Sequence, residues 1–178
     1  MILSVEELRQ YISTDVQDAV LEGKLQALEI LIRKYTNNNF QARAIRTVGM
    51  CSSDGNAIIC DKRMPFKVGD TVQISASEFN PDMLCVITGI NENVLTVDKD
   101  LIDDNYALIT RIDYPMDVKM GVVNMLQWDL ENRSKVGIQS ETISRHSVTY
   151  FNMDGDNSSI GYPKSLVGFL KPYKKARF

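Results

Sequence analysis

The sequence predicts an α+β fold: a small helical bundle of three to four helices, with a small antiparallel β-barrel-like domain inserted between the second and third helices. Three observations lead there. Apolar residues recur at helical spacing up to about residue 40, they alternate between turn residues from 41 to 113, and helical spacing returns after 114. The chain therefore divides into 1–40, the first part of a helical core; 41–113, an inserted β domain; and 114–178, the rest of the core with a linker loop and a C-terminal docking arm.

The first helix is signalled by Ser4 and Glu7, a Ser-x-x-Glu capping box, with Leu3 placed to pack on Leu8 as a hydrophobic staple. It is expected over 5–12. A second start is read at Thr14-Asp15-Val16-Gln17, followed by one apolar face of Val16, Val20, Ala27, Leu28, Leu31, Ile32 and Tyr35 that leaves Glu22, Lys24, Glu29 and Arg33 toward water. Asn37-Asn38-Asn39 stops this helix, because asparagine tolerates left-handed backbone.

Strands are expected at 42–48, 57–60, 72–74, 84–90, 94–97 and 106–112. Ser53-Asp54-Gly55-Asn56 reads as a hairpin turn, Val68-Gly69-Asp70 and Asn91-Glu92-Asn93 as further turns. Short strands at this spacing suggest a small antiparallel barrel. Its aromatic residues, Phe66, Phe79 and Tyr106, look scattered and are assigned to packing, and its eleven acidic against seven basic residues argue against a nucleic-acid groove.

Beyond Asp113-Tyr114-Pro115, where the aspartate is placed to cap, Val118, Val122, Met125, Leu126 and Leu130 mark the buried stripe of a third helix, widened by Met120 and Trp128 and ending near residue 132. A polar stretch over 152–159 precedes a last short helix over 162–170, which Pro172 is expected to end.

Hydrophobic content of 44% and charged content of 24% are those of a soluble globular protein. No apolar run approaches the ~20 residues of a membrane span, and the N-terminus shows no signal-peptide pattern, so cytoplasmic synthesis is expected. Cys51, Cys60 and Cys85 form neither a disulfide framework nor a zinc site and read as small apolar residues. The single histidine, His146, has no nucleophile and orienting acid beside it in sequence. Asn152, Asp154, Asp156 and Ser158 alternate like calcium ligands, but Pro163 stands where the bidentate glutamate belongs. Asp98, Asp100, Asp103 and Asp104 read as a charged loop rather than a catalytic cluster. No enzyme, metal site or cofactor is expected.

The order of elements resembles that of tailed-phage head-tail connector proteins: a capped helix, a long helix closing on Arg33-Lys34-Tyr35-Thr36 and Phe40, a later helix opening at Tyr114-Pro115-Met116-Asp117-Val118-Lys119, then Gly137-x-x-Ser140-Glu141-x-Ile143 leading to Ser147-Val148-Thr149-Tyr150. The resemblance covers mainly the two helical ends. It implies a structural virion protein that forms a ring, a dodecamer when assembled and a monomer before that, under the portal protein. There it would extend the DNA channel for phage DNA as passing cargo and offer a platform to the next head-completion or tail-completion protein, with no membrane involved. Its place would be the head-tail junction of the virion, after synthesis in the bacterial host cytoplasm.

Such a ring needs heterologous surfaces that close. The inter-subunit or channel loop is assigned to Ser140, Glu141, Ile143, Arg145, His146, Val148 and Tyr150. Portal docking is assigned to Leu166, Phe169, Leu170, Lys171, Tyr173, Lys174, Lys175, Arg177 and Phe178, because the last eight residues carry four positive charges among aromatics and no acid. Deleting 171–178 is expected to abolish portal binding and leave the fold intact. The rival readings are a nucleic-acid-binding module using that basic tail, an enzyme built on the aspartates of the β domain, and a neighbouring tail-joining adaptor.

Overall fold

The computed structural model describes residues 1–136, 140–143, 146–149 and 156–176; at 135, 140–143 and 146–149 the backbone alone is described. The chain separates into two compact units, Met1–Asn38 with Tyr114–Phe178, and Asn39–Asp113.

The second unit is a closed barrel of six antiparallel strands in the order β1-β2-β5-β4-β3-β6. They are β1 (Gln41–Ser52), β2 (Ala57–Cys60), β3 (Thr71–Ser75), β4 (Met83–Asn91), β5 (Val94–Val97) and β6 (Asp104–Ile112). Alternation sends Ile58, Val72, Ile74, Cys85, Ile87, Leu95, Val97 and Ile109 inward, which closes the sheet around a filled interior. Because neighbouring strands all run antiparallel, the connections 53–56, 76–82 and 98–103 gather at one end, and 61–70 and 92–93 at the other. Two of these connections cross the barrel ends and plug them: Leu101 is buried at the first end and Phe66 at the second. Gly49 sits where β1 and β2 approach so closely that a Cβ would lie 2.6 Å from the Ile59 carbonyl oxygen. The expected closeness of the two ends of this unit is met, with the Asp113 N–H donating to the Phe40 carbonyl at 2.9 Å.

The first unit holds α1 (Val5–Arg9), α2 (Asp18–Thr36), α3 (Met116–Asn132), the pair β7 (Ser140–Ile143) and β8 (His146–Thr149), the short pair β9 (Ser158–Ser159) and β10 (Tyr162–Pro163), and α4 (Lys164–Val167) running into a 3-10 stretch, Gly168–Tyr173. The capping box forms as read: the Ser4 hydroxyl accepts from Glu7 N–H and the Glu7 carboxylate accepts from Ser4 N–H, both at 3.0 Å. Leu3 and Leu8 beside it are both buried, while Ser4 and Glu7 remain exposed. Asn37 closes α2 in the left-handed region at φ 50°.

The expected fold class is corrected by these elements. The main sheet is the closed six-stranded barrel and helix makes up about 36% of the chain, so the barrel is not an accessory to a helical bundle. Only α2, of 19 residues, and α3, of 17, are long; α1 has five residues and α4 four. Helices of one turn bury too little apolar face to close a bundle. The expected last helix over 162–170 is broken because Tyr162-Pro163 pairs as a strand, and Pro172 lies inside the 3-10 stretch instead of ending a helix.

The phase of α2 is corrected too. Its buried stripe is Leu21, Leu25, Leu28 and Ile32, whereas Val20 is exposed and Glu29 is buried. The helix starts at Asp18 because the Arg9 guanidinium donates to the carbonyls of Thr14 and Val16 and to Asp18 Oδ1, holding the stretch before it in a turn. In α3 the Asp113 cap does not form; Pro115 stands at that position without a side-chain cap, and Gly121 and Val123 join the buried face.

Candidate functional site

The residues assigned to portal docking occupy a segment fastened to α2 and α3. Leu170 is fully buried, and Leu166 and Phe169 are half-buried. The Phe169 ring lies against Gly121 so closely that a Cβ there would be 2.2 Å from its edge. The Tyr173 hydroxyl donates to Asp117 at 2.8 Å, and its carbonyl accepts from Asn38 at 3.1 Å. Lys175 N–H donates to the Thr36 carbonyl at 2.8 Å, and Asn37 donates to the Ala176 carbonyl at 2.9 Å. The Lys175 bond satisfies one of the carbonyls left open at the end of α2, and the Asn37 and Asn38 side chains that follow the helix hold the segment's own carbonyls. Lys174 Nζ sits 3.8 Å from the centre of the Tyr35 ring, a cation-π contact. Lys171, Lys174 and Lys175 are exposed, so their charges are displayed by a positioned segment. Arg177 and Phe178 lie outside the described residues.

One network fixes the base of that segment. Arg133 lies over the rings of Trp128 and Tyr162 at 5.2 and 4.7 Å, donates to Asp129 at 2.6 Å and reaches the Gly161 carbonyl at 3.0 Å. Lys24 from α2 pairs with the same Asp129 at 3.0 Å. Burial of the Tyr162 phenol, followed by the Asp129 charge, raises its pKa.

Of the loop assignment, Ser140, Glu141 and Ile143 fall on β7 and His146 and Val148 on β8, paired as Ser140 with Thr149, Glu141 with Val148 and Ile143 with His146. The backbone there is thus a two-stranded ladder. Arg145 and Tyr150 lie outside the described residues.

In the barrel the four aspartates of the suspected cluster each have local work. Asp98 accepts from Val86 N–H at 2.7 Å, Asp100 from Asn56 at 3.4 Å and Asp103 from Ser53 N–H at 2.6 Å. Asp104 accepts from the Ser77 hydroxyl at 2.5 Å and from the backbone of Glu78, Phe79 and Tyr106. These donors favour the carboxylate: the Ser53 amide lowers the pKa of Asp103, and the Ser77 hydroxyl, ahead of the Tyr106 amide, that of Asp104. Among the described residues no group of acids, histidines and cysteines is placed to hold a metal ion. The three cysteines are buried in the barrel core, and desolvation pushes each thiol up to about 11.

The same bonds create a surface that the sequence does not reveal. Asp103 ties 98–103 to 53–56, Asp104 ties the start of β6 to 76–80, and the Asn80 side chain both donates to the Ile102 carbonyl at 2.7 Å and accepts from Ile102 N–H at 2.9 Å. Three connections become one braced rim, from which Phe79, Ile102 and Tyr106 project 51%, 58% and 53% exposed. The aromatic residues read as scattered therefore separate: Phe66 plugs the barrel, while Phe79 and Tyr106 stand outward around Asp104. On the outer wall, Arg46, Thr47, Val48, Asp61, Lys62 and Leu108 line an open groove of about 490 Å³.

No helix among the described residues is long and apolar enough to cross a membrane. Compared with known proteins, the chain matches no family model and no curated sequence.

Proposed function

We propose that the chain is a structural subunit of a tailed-phage virion, a head-tail connector that closes as a ring under the portal protein, continues the DNA channel and carries the next completion protein. It performs no chemistry and works by the surfaces it presents. The observation that carries this reading is that most of the segments resembling connector proteins, though far apart in sequence, belong to one compact unit: Arg33 to Thr36 end α2, Met116 to Lys119 open α3, and Ser140–Ile143 with His146–Thr149 form the β7-β8 ladder, while Phe40 falls in the barrel unit.

Three further features support it. Lys171, Lys174 and Lys175 project from a segment held by hydrogen bonds, so a docking contact loses little conformational entropy. The barrel interior is filled by side chains and plugged at both ends, which suits a wall or spacer better than a ligand-binding barrel. The net charge of −3 suits a lumen through which DNA slides, since each fixed cation facing phosphate adds affinity that hinders passage.

The test is to mix the protein with purified portal and image the particles. Added ring density at the portal exit is expected, and bare portals at saturating protein refute the reading. Lys171→Glu with Lys175→Glu is expected to abolish that density while leaving the fold intact; unchanged occupancy removes the docking assignment.

A further inference from the structure

The charges of the barrel are divided between its two ends. Seven of its eleven acidic residues and a single basic one, Lys99, lie in 53–56, 76–82 and 98–104, the connections at the braced end and the start of β6. The remaining six basic and four acidic residues lie toward the other end and on the adjoining wall. Arg111 there is paired with Asp70 and Asp113 at 4.0 and 3.6 Å, whereas none of the ion pairs among the described residues involves Arg46 or Lys62. Those two flank the 490 Å³ groove, whose apolar lining comes from the half-buried Val48 and Leu108.

Two complementary shapes thus sit on one small unit. The rim is an apolar knob, Phe79 and Ile102, surrounded by carboxylates. The groove is an apolar trough bordered by two cations, Arg46 and Lys62, and one carboxylate, Asp61. The rim is also preorganised, since Asp103, Asp104 and Asn80 hold its three connections together, and binding through it requires little ordering.

We propose that the rim of one barrel docks in the groove of a second copy of this chain. The partner is the chain itself because the charge that the rim lacks is carried, at a different place, by the same unit. A knob and a trough on separate surfaces make a heterologous contact, the kind that propagates from copy to copy and closes into a ring when the rotation permits. Opposed charges around an apolar centre set the register and suppress the rim-to-rim alternative, in which carboxylates would face carboxylates. The proposal deepens the connector reading and rests on it for the expectation of self-assembly.

The test uses full-length chains carrying one added cysteine each, Asp61→Cys in the groove or Ile102→Cys on the rim, with a short bismaleimide as the probe. The native cysteines are buried and stay out of the reaction. Mixing the two variants at about 1 mM, the range of weak association, is expected to give a single cross-linked dimer, and neither variant alone is expected to give one. A dimer from Ile102→Cys alone, or no product from the mixture, overturns the proposal. In a second arm, Lys62→Glu introduced into the Asp61→Cys chain is expected to cut the yield at least tenfold, and Glu78→Lys in the Ile102→Cys chain to restore it. A yield indifferent to both substitutions also overturns it. Ring density on portals formed by chains that never cross-link would sink this contact and leave the connector reading standing; cross-linking by chains that ignore portals would do the reverse.

Discussion

The phenol of Tyr114 donates to Glu29 Oε1 at 2.7 Å, a buried bond spanning 85 residues of sequence. Burial first, and the Glu29 charge second, raise the Tyr114 pKa, so it remains a donor throughout the physiological range. The bond joins α2 to the residue that leads into α3, and together with the Met1 ammonium, 3.5 Å from Glu29 Oε2, it explains how a carboxylate only 4% exposed persists beside buried leucine and isoleucine. Tyr114→Phe leaves that carboxylate short of a donor and is expected to cost roughly 1–3 kcal/mol. Adding Glu29→Leu to the same chain should recover part of the loss, because replacing both polar partners by apolar groups is far less costly than orphaning one. Urea unfolding followed by the fluorescence of Trp128, the chain's single tryptophan, measures both. Equal midpoints for Tyr114→Phe and the native chain would show that the bond contributes nothing.

Gly121 and Phe169 supply a packing test. An alanine in mid-helix ordinarily gains about 1 kcal/mol over glycine, yet here its Cβ would enter the space of the Phe169 ring. Gly121→Ala should therefore destabilise by roughly 1–3 kcal/mol through overpacking. The double variant with Phe169→Leu should be more stable than Gly121→Ala alone, since the smaller side chain yields the space. Gly121→Ala as stable as the native chain would mean that the ring moves aside without cost.

Strand positions were legible where apolar residues alternate with polar ones: Leu95 and Val97 are buried on either side of the exposed Thr96, Val72 and Ile74 flank the polar Gln73, and Gly55 and Asn56 mark a turn by their tolerance of positive φ. Asn37 ended α2 for the same reason. The start of α2 was not legible, because Arg9 holds residues 14–18 in a turn and moves the apolar stripe out of phase with Val16 and Val20. Nor was Glu29, since its burial depends on partners distant in sequence, the Tyr114 hydroxyl and the Met1 ammonium. The rim escaped for a topological reason. Phe79 and Ile102 are neighbours only because odd-to-even connections meet at one end of a closed antiparallel barrel, and no local periodicity carries that information. The last helix, in the C-terminal segment, was read too long because Leu166, Phe169 and Leu170 keep helical spacing, while Pro163, Gly168 and Pro172 shorten it to one turn.

That segment changes what a truncation should do. Removing 171–178 deletes the Tyr173 bonds to Asp117 and Asn38 and the Lys175 amide bond to Thr36. At about 1 kcal/mol each, the loss should be roughly 2–4 kcal/mol, so the deletion cannot be used to separate binding from folding. Lys171→Glu with Lys175→Glu alters exposed charge alone and should stay within about 0.5 kcal/mol of the native chain. Thermal unfolding of the two variants side by side decides this; a truncation as stable as the charge-reversed chain would show that the segment is an unattached arm.

Alkaline pH should weaken the barrel through its thiols. Desolvation raises Cys51, Cys60 and Cys85 from an ordinary value of 9.0 to about 11, the buried thiol resisting the charge that the unfolded chain accepts readily. A folded-state pKa above the unfolded one gives stability that is fully present below pH 9 and is lost as the pH rises toward 11, where the unfolded state has released protons that the folded state retains. Two pH units correspond to roughly 2–3 kcal/mol for each thiol. Chemical denaturation at pH 7.5, 9 and 10.5 should show this decline. Replacing Cys85 by alanine should lower stability at pH 7.5 through the lost packing and flatten the decline by about one third. The native thiols should also react with a chromogenic disulfide far more slowly than in urea, and rapid labelling of the folded chain at pH 8 would contradict the burial on which the prediction stands.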